Sequence, residues 1–272
     1  MKIIRVFPRK TKATPDDDLV RINRPPGLFD EADEVHISVT FTWDLPRAEW
    51  LAKQWKSRAT VKIGGPGTRN CQGDFIPGMY LRKGYVITSR GCPNHCWFCA
   101  VPRKFGHVRE LPITEGHNIL DDNFLACSDN HIKKVFGMLS RQKEIEFTGG
   151  LEASRLKPWH CKELRKLNIK QLFFAYDCPV DRLPLWEAGD LLLKHGFTKA
   201  SHVLRCYVLC GYDGDTIEKA TSRMNDVMAA GFTPMAMLWR NDDGWRNPDF
   251  IGGKFQKKWA RPSIIHSKQV AA

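Results

Sequence analysis

Long apolar runs are missing from this chain. No segment of its 272 residues approaches the roughly eighteen consecutive apolar residues that span a bilayer. The opening Met-Lys-Ile-Ile-Arg-Val-Phe-Pro-Arg-Lys has neither the apolar core nor the cleavage site of a signal peptide. The expectation is a soluble, cytoplasmic protein with no membrane contact. Internal repeats and low-complexity tracts are also missing, which excludes repeat architectures. The cysteines do not form an even, regularly spaced set. There are nine, three of them crowded between positions 92 and 99 and six scattered. That pattern argues against a secreted disulfide framework and for metal binding by the clustered thiols in a reducing compartment.

A hydrophobic content of 42% with 11% aromatics is ample for a buried core. The formal charge of +12 and a pI near 9.3 would concentrate polyanions such as nucleic acid, although a generally basic soluble protein has the same balance. Along the chain, residues 1–7, 34–41 and 60–63 read as strands. Asp44 begins a helix whose apolar Leu45, Ala48, Leu51, Ala52 and Trp55 fall at helical spacing, and Gly64-Gly65-Pro66-Gly67 makes a turn. Strand, helix, strand is a βαβ unit, which requires a parallel sheet.

From Tyr85 the alternation lengthens. Strands are expected at 85–88, 118–120, 144–148, 171–175, 203–209 and 234–238, with helices at 132–139, 160–167, 185–195 and 216–230 among them. Six strands with crossover helices suit a partial (β/α)6 barrel, a partial TIM barrel with its site at the strands' C-terminal ends. The expected organisation is therefore α/β throughout. A small truncated α/β, Rossmann-like unit (1–80) precedes the barrel (81–241), and a basic aromatic tail (242–272) packs on it. That tail carries Trp245, Arg246, Phe250, Lys254, Phe255, Lys257, Lys258, Trp259 and Arg261.

Directly after the first barrel strand comes Ser-Arg-Gly-Cys-Pro-Asn-His-Cys-Trp-Phe-Cys, residues 89–99, with Cys92, Cys96 and Cys99 spaced C-x3-C-x2-C. Thiolates are soft ligands for iron–sulfur clusters or zinc, and three so close can wrap one metal centre on a single loop. Zinc would need a fourth ligand from Cys71, His95 or His107. A cubane held by three cysteines leaves one iron open to a small chelating molecule.

In these residues the chain resembles the radical S-adenosylmethionine superfamily. It shares the cysteine spacing, the aromatic Phe98 before the last cysteine, and the motif's place after the first barrel strand. The Gly-Cys-Pro-Asn-x-Cys form is similar to the branch with tRNA methylthiotransferases and cobalamin-binding radical enzymes, over roughly residues 85–240. The resemblance implies a [4Fe–4S] cluster on Cys92, Cys96 and Cys99. It further implies S-adenosyl-L-methionine chelated at the open iron and cleaved to a 5′-deoxyadenosyl radical, with an electron donor such as a flavodoxin or ferredoxin.

Asp121-Asp122-Asn123-Phe124 stands where the superfamily's common form has Gly-Gly-Glu, so Asp121 and Asp122 are candidates for the amine of S-adenosylmethionine. A strand-end turn explains the same residues. Thr148-Gly149-Gly150-Leu151-Glu152 follows the third strand rather than the second, and the amine role is not transferred to Glu152. Arg155 is a candidate for the carboxylate, Asp177 for the ribose hydroxyls, and Gly211 for close backbone approach to the adenine. Asp215 or Thr216 would cap the next helix.

Residues 35–67 resemble the later half of a cobalamin-binding domain, but no Asp-x-His-x-x-Gly occurs anywhere, so cobalamin is not expected. Cys71, Cys127, Cys161, Cys178, Cys206 and Cys210 are too dispersed for a second cluster. The substrate expectation is a nucleic acid or nucleotide. The alternatives are a small metabolite or peptide, or a non-catalytic iron–sulfur or zinc protein that binds nucleic acid. The tail could track phosphates and stack bases, or its rings could cover an open sheet edge.

Overall fold

The computed structural model describes residues 1–68, 75–241, 244–259 and 265. Cys71 and Arg261 lie outside the described residues. The chain divides into two compact units between Tyr85 and Val86.

The first unit is built on strands β1 (Ile3–Phe7), β2 (Val20–Ile22), β3 (Glu34–Ser38) and β4 (Thr60–Gly64), with helix α1 (Leu45–Trp55) between β3 and β4. The sheet order is β2-β1-β3-β4, and every pair is parallel. Period-2 alternation sends Ile4, Val6, Val35 and Ile37 to one face, where Ala48, Leu51, Ala52 and Trp55 of α1 cover them. Burial of each large side chain here contributes about 1.5–3 kcal/mol. Strand β2 was not expected from the sequence. Three residues inside a Pro- and Asp-rich stretch have no period of their own, and β1 recruits them as an edge.

The turn after β4 needs its glycines. A Cβ on Gly65 (φ 105°) would lie 2.7 Å from the Val39 carbonyl oxygen, and one on Gly67 would lie 2.7 Å from the Phe41 carbonyl carbon.

The second unit continues with β5 (Tyr85–Val86), β6 (Ser89–Arg90), α2 (Val101–Phe105), β7 (Arg109–Glu110) and β8 (Asn118–Ile119). Then come α3 (Asp129–Leu139), β9 (Ile145–Leu151), α4 (Pro158–Lys166), β10 (Ile169–Tyr176), α5 (Arg182–Lys194), β11 (Leu204–Cys210), α6 (Ile217–Ala229), β12 (Thr233–Leu238) and α7 (Lys254–Trp259). Six strands form a parallel sheet in the order β12-β11-β10-β9-β8-β5, while β6 and β7 make a short antiparallel pair. Each strand lies beside the one before it in sequence, as crossover helices require. The sheet is not closed, and β5 and β12 are its edges. Pro234, which cannot donate to a ladder, sits on edge strand β12. Helix α7 packs against that strand, with Phe250, Phe255 and Trp259 buried.

Strand β9 runs three residues past its expected end, through Gly149 and Gly150 to Leu151. The cause is a close approach. A Cβ on Gly149 would stand 2.2 Å from the Asp121 carbonyl oxygen, so only glycine lets β9 pass flush against the turn after β8.

Candidate functional site

The cysteine loop leaves the sheet through β6 and returns through β7, so both of its ends are tied by that antiparallel pair. Its base is pinched. Gly91 (φ 94°) sits so close to His107 that a Cβ would come within 2.2 Å of that residue's carbonyl oxygen. The Cys92 N–H donates to the Gly106 carbonyl at 3.1 Å and the Cys99 N–H to the Cys96 carbonyl at 3.0 Å. Cys92 and Cys99 are half-buried and Cys96 is exposed.

Although Cys96 is exposed as a residue, partial desolvation of its thiol pushes it up to about 11, and the thiols of Cys99 and Cys92 add to the effect. Burial also raises Cys99, opposed by the Val101 N–H and reinforced by Cys92, Asp122 and Asp177. Cys96 and Cys99 therefore resist ionisation, chiefly through desolvation and then through neighbouring acidic groups, and a cationic centre would offset both effects.

Beneath the loop stands the turn after β8. Asp121 is buried and accepts from the Thr88 N–H (2.6 Å), the Thr88 hydroxyl (2.6 Å) and the Ser89 hydroxyl (2.7 Å). Asp122 accepts from the Gly91 N–H (2.8 Å) and pairs with Arg90 (3.2 Å). Burial holds both carboxyls above their usual range, although these donors oppose it. Both side chains therefore fasten the start of the cysteine loop to the sheet.

The next residue, Asn123, was not singled out from the sequence. Its side-chain nitrogen donates to Cys92 Sγ at 3.3 Å and to Glu152 Oε2 at 2.6 Å. Glu152 also accepts from Arg155 Nε (2.6 Å) and the Ser154 hydroxyl (2.8 Å). Burial opposes ionisation of Glu152, but the hydrogen bonds from Asn123, Ser154 and Arg155 outweigh it and hold the carboxyl below its usual range. Arg155 is thus engaged with Glu152. The sequence signal that could have found this group is Gly149 before Glu152, whose close packing on the Asp121 backbone brings the end of β9 to the turn after β8.

Asp177 follows the end of β10. Burial, followed by repulsion from Asp181, pushes its carboxyl up to about 7. Its charge is close enough to raise Cys96 and Cys99. Gly211 (φ 72°) turns the chain after β11, donates its N–H to Asp215 Oδ2 at 2.8 Å, and faces the Phe250 ring, which a Cβ would meet at 3.1 Å. Asp215 is locked to Arg223 at 2.7 Å, and Thr216 caps α6 through the Lys219 N–H at 3.3 Å. Phe98 meets Trp97 edge-on, with 5.4 Å between centroids. Trp97, 56% exposed, continues to Tyr212 (5.6 Å) and Trp239 (5.8 Å), and Trp239 continues to Trp245 (5.9 Å).

No family model matches this chain, and no curated protein matches it either.

Among the described residues, the one group of His, Cys, Asp and Glu ligand atoms lying within 4.8 Å of one another is Asp121, Cys127 and His131. Its polar atoms are already engaged by neighbouring residues. Asp121 is taken by Thr88 and Ser89, and His131 Nε2 lies 3.2 Å from the Thr88 hydroxyl. We read it as a buried hydrogen-bond network. The loop thiols are spread more widely than that group, and neither His95 nor His107 draws in with them. A tetrahedral zinc ion needs sulfurs roughly 3.8 Å apart. A cubane, whose ligands sit at separate corners, accepts a wider set. The soft three-sulfur donor set fits such a cluster.

Proposed function

We propose that this protein is a radical S-adenosylmethionine enzyme whose Cys92, Cys96 and Cys99 hold a [4Fe–4S] cluster, on a second unit of partial (β/α)6-barrel type. The observation that carries the proposal is the three-thiol loop itself. It is set at the C-terminal ends of a sequentially ordered parallel sheet, pinned at its base by Asp121 and Asp122, and touched at Cys92 by Asn123. When bound, such a cluster supplies the electron that cleaves the sulfonium of S-adenosylmethionine to a 5′-deoxyadenosyl radical. An electron donor of the flavodoxin or ferredoxin kind would reduce it.

The chain's own residues have separable tasks. Asp121 and Asp122 orient the loop. Asp177 is the partner for hydroxyls and, near 7, can hold or release a proton at neutral pH, while Arg155, whose Nε is held by Glu152, offers its terminal nitrogens to a carboxylate. The substrate in this proposal is a nucleic acid or nucleotide. The +12 charge and the aromatic row from exposed Trp97 through half-buried Trp239 to exposed Trp245 support it, since cations meet phosphates and rings stack on bases. Cobalamin has no part in it.

The test is anaerobic reconstitution with iron and sulfide, then reduction in the presence of S-adenosylmethionine. About four irons per chain and 5′-deoxyadenosine are expected. Stoichiometric zinc in place of iron would refute the proposal.

A further inference from the structure

Asn123 and Glu152 come from different strand ends, 29 positions apart, and meet at one of the three cluster thiols. An amide nitrogen carries two hydrogens, and here each has an acceptor: Glu152 Oε2 at 2.6 Å and Cys92 Sγ at 3.3 Å. The orientation is enforced. Reversing the amide would aim Oδ1 at a carboxylate that has no hydrogen to give, acceptor against acceptor. Glu152 is in turn held by Arg155 and Ser154, so the acceptor that fixes the amide is itself fixed. Asn123 is only 4% exposed, which excludes water as a competing partner and strengthens the bond to sulfur.

Resting on the cluster assignment above, we propose that Asn123 is a positioning residue that sets the reduction potential of the cluster through its N–H to Cys92 Sγ, with Glu152 as the group that aims it. One-electron reduction, by dithionite or a flavodoxin-type donor, adds negative charge that spreads onto the thiolate sulfurs. A hydrogen bond donated to such a sulfur stabilises the reduced form more than the oxidised one and raises the potential. The Glu152 carboxylate acts in the opposite sense through its charge. The pair therefore places the potential between two opposed influences.

The test is an anaerobic redox titration of the reconstituted full-length protein, followed by electron paramagnetic resonance and without S-adenosylmethionine. Asn123→Leu, close in size but without a donor, should load the same iron and show a lower potential. Its reduction equilibrium constant should fall about tenfold, equivalent to about 59 mV for a one-electron couple. Glu152→Gln should move the potential upward, and Asn123→Gln, which keeps a donor, should recover part of the loss. Full iron with an unmoved potential in Asn123→Leu overturns this inference and leaves the cluster assignment standing. If Asn123→Leu fails to load iron, an unmoved potential in Glu152→Gln overturns the inference equally. Failure of the wild type to assemble any cluster overturns both.

Discussion

Replacing Asp177 by Asn should stabilise the metal-free protein at neutral and alkaline pH and do little in acid. Burial, then repulsion from Asp181, lifts this carboxyl from 3.8 to about 7 in the folded chain. An acid with a raised folded pKa contributes no penalty below pH 4, where both states bind the proton. As pH rises from 4 to 7 the unfolded chain ionises freely while the folded one is forced either to keep the proton or to bury a charge. Stability is therefore lost progressively across that window and levels off above it.

The gap of about three pKa units at about 1.4 kcal/mol each amounts to about 4 kcal/mol above pH 8. Asn keeps an acceptor for the Leu209 N–H that Asp177 uses and carries no charge. The assay is denaturant unfolding of the reduced, iron-free protein, followed by tryptophan fluorescence at pH values from about 4 to 9. The difference between variant and wild type should grow from near zero to several kcal/mol. A difference that stays flat with pH would show that Asp177 is solvated in the folded state and would remove the basis for its neutral-pH proton.

Replacing Cys92, Cys96 or Cys99 by Ala should abolish iron loading, whereas Cys161→Ala, at a buried thiol in α4, should leave it intact by iron analysis. Gly149→Ala should destabilise the second unit by about 1–3 kcal/mol in a denaturant series, because the added methyl collides with the Asp121 backbone. Arg223→Met should cost about 3–5 kcal/mol by the same measurement, since it leaves the Asp215 carboxylate, 0% exposed, without its partner. If single-stranded nucleic acid is the substrate, Lys257→Glu with Lys258→Glu should weaken its binding and flatten the salt dependence, measured by fluorescence anisotropy.

The sequence by itself determined the thiol loop and the parallel α/β organisation, because both are written in local spacing. Three cysteines within one loop read as a candidate soft-metal site wherever the loop is placed. Apolar periods of 2 and 3.6 mark the strands and helices, and Leu45, Ala48, Leu51 and Trp55 on α1 show how directly a buried face follows from such a period. Interactions between elements left no such mark.

Asn123 reads as a strand-end turn residue until Gly149 lets β9 slide past the Asp121 backbone and bring Glu152 to it. Asp121 and Asp122 look alike in sequence, yet one is enclosed by two hydroxyls and an amide and the other faces Arg90 and a loop glycine. The tail's rings also look alike, but Phe250, Phe255 and Trp259 are buried, whereas Trp245 is exposed and joins the aromatic row that begins at Trp97. Burial and hydrogen-bond partners depend on which surfaces meet across many residues of chain, and only the packed tertiary structure decides that.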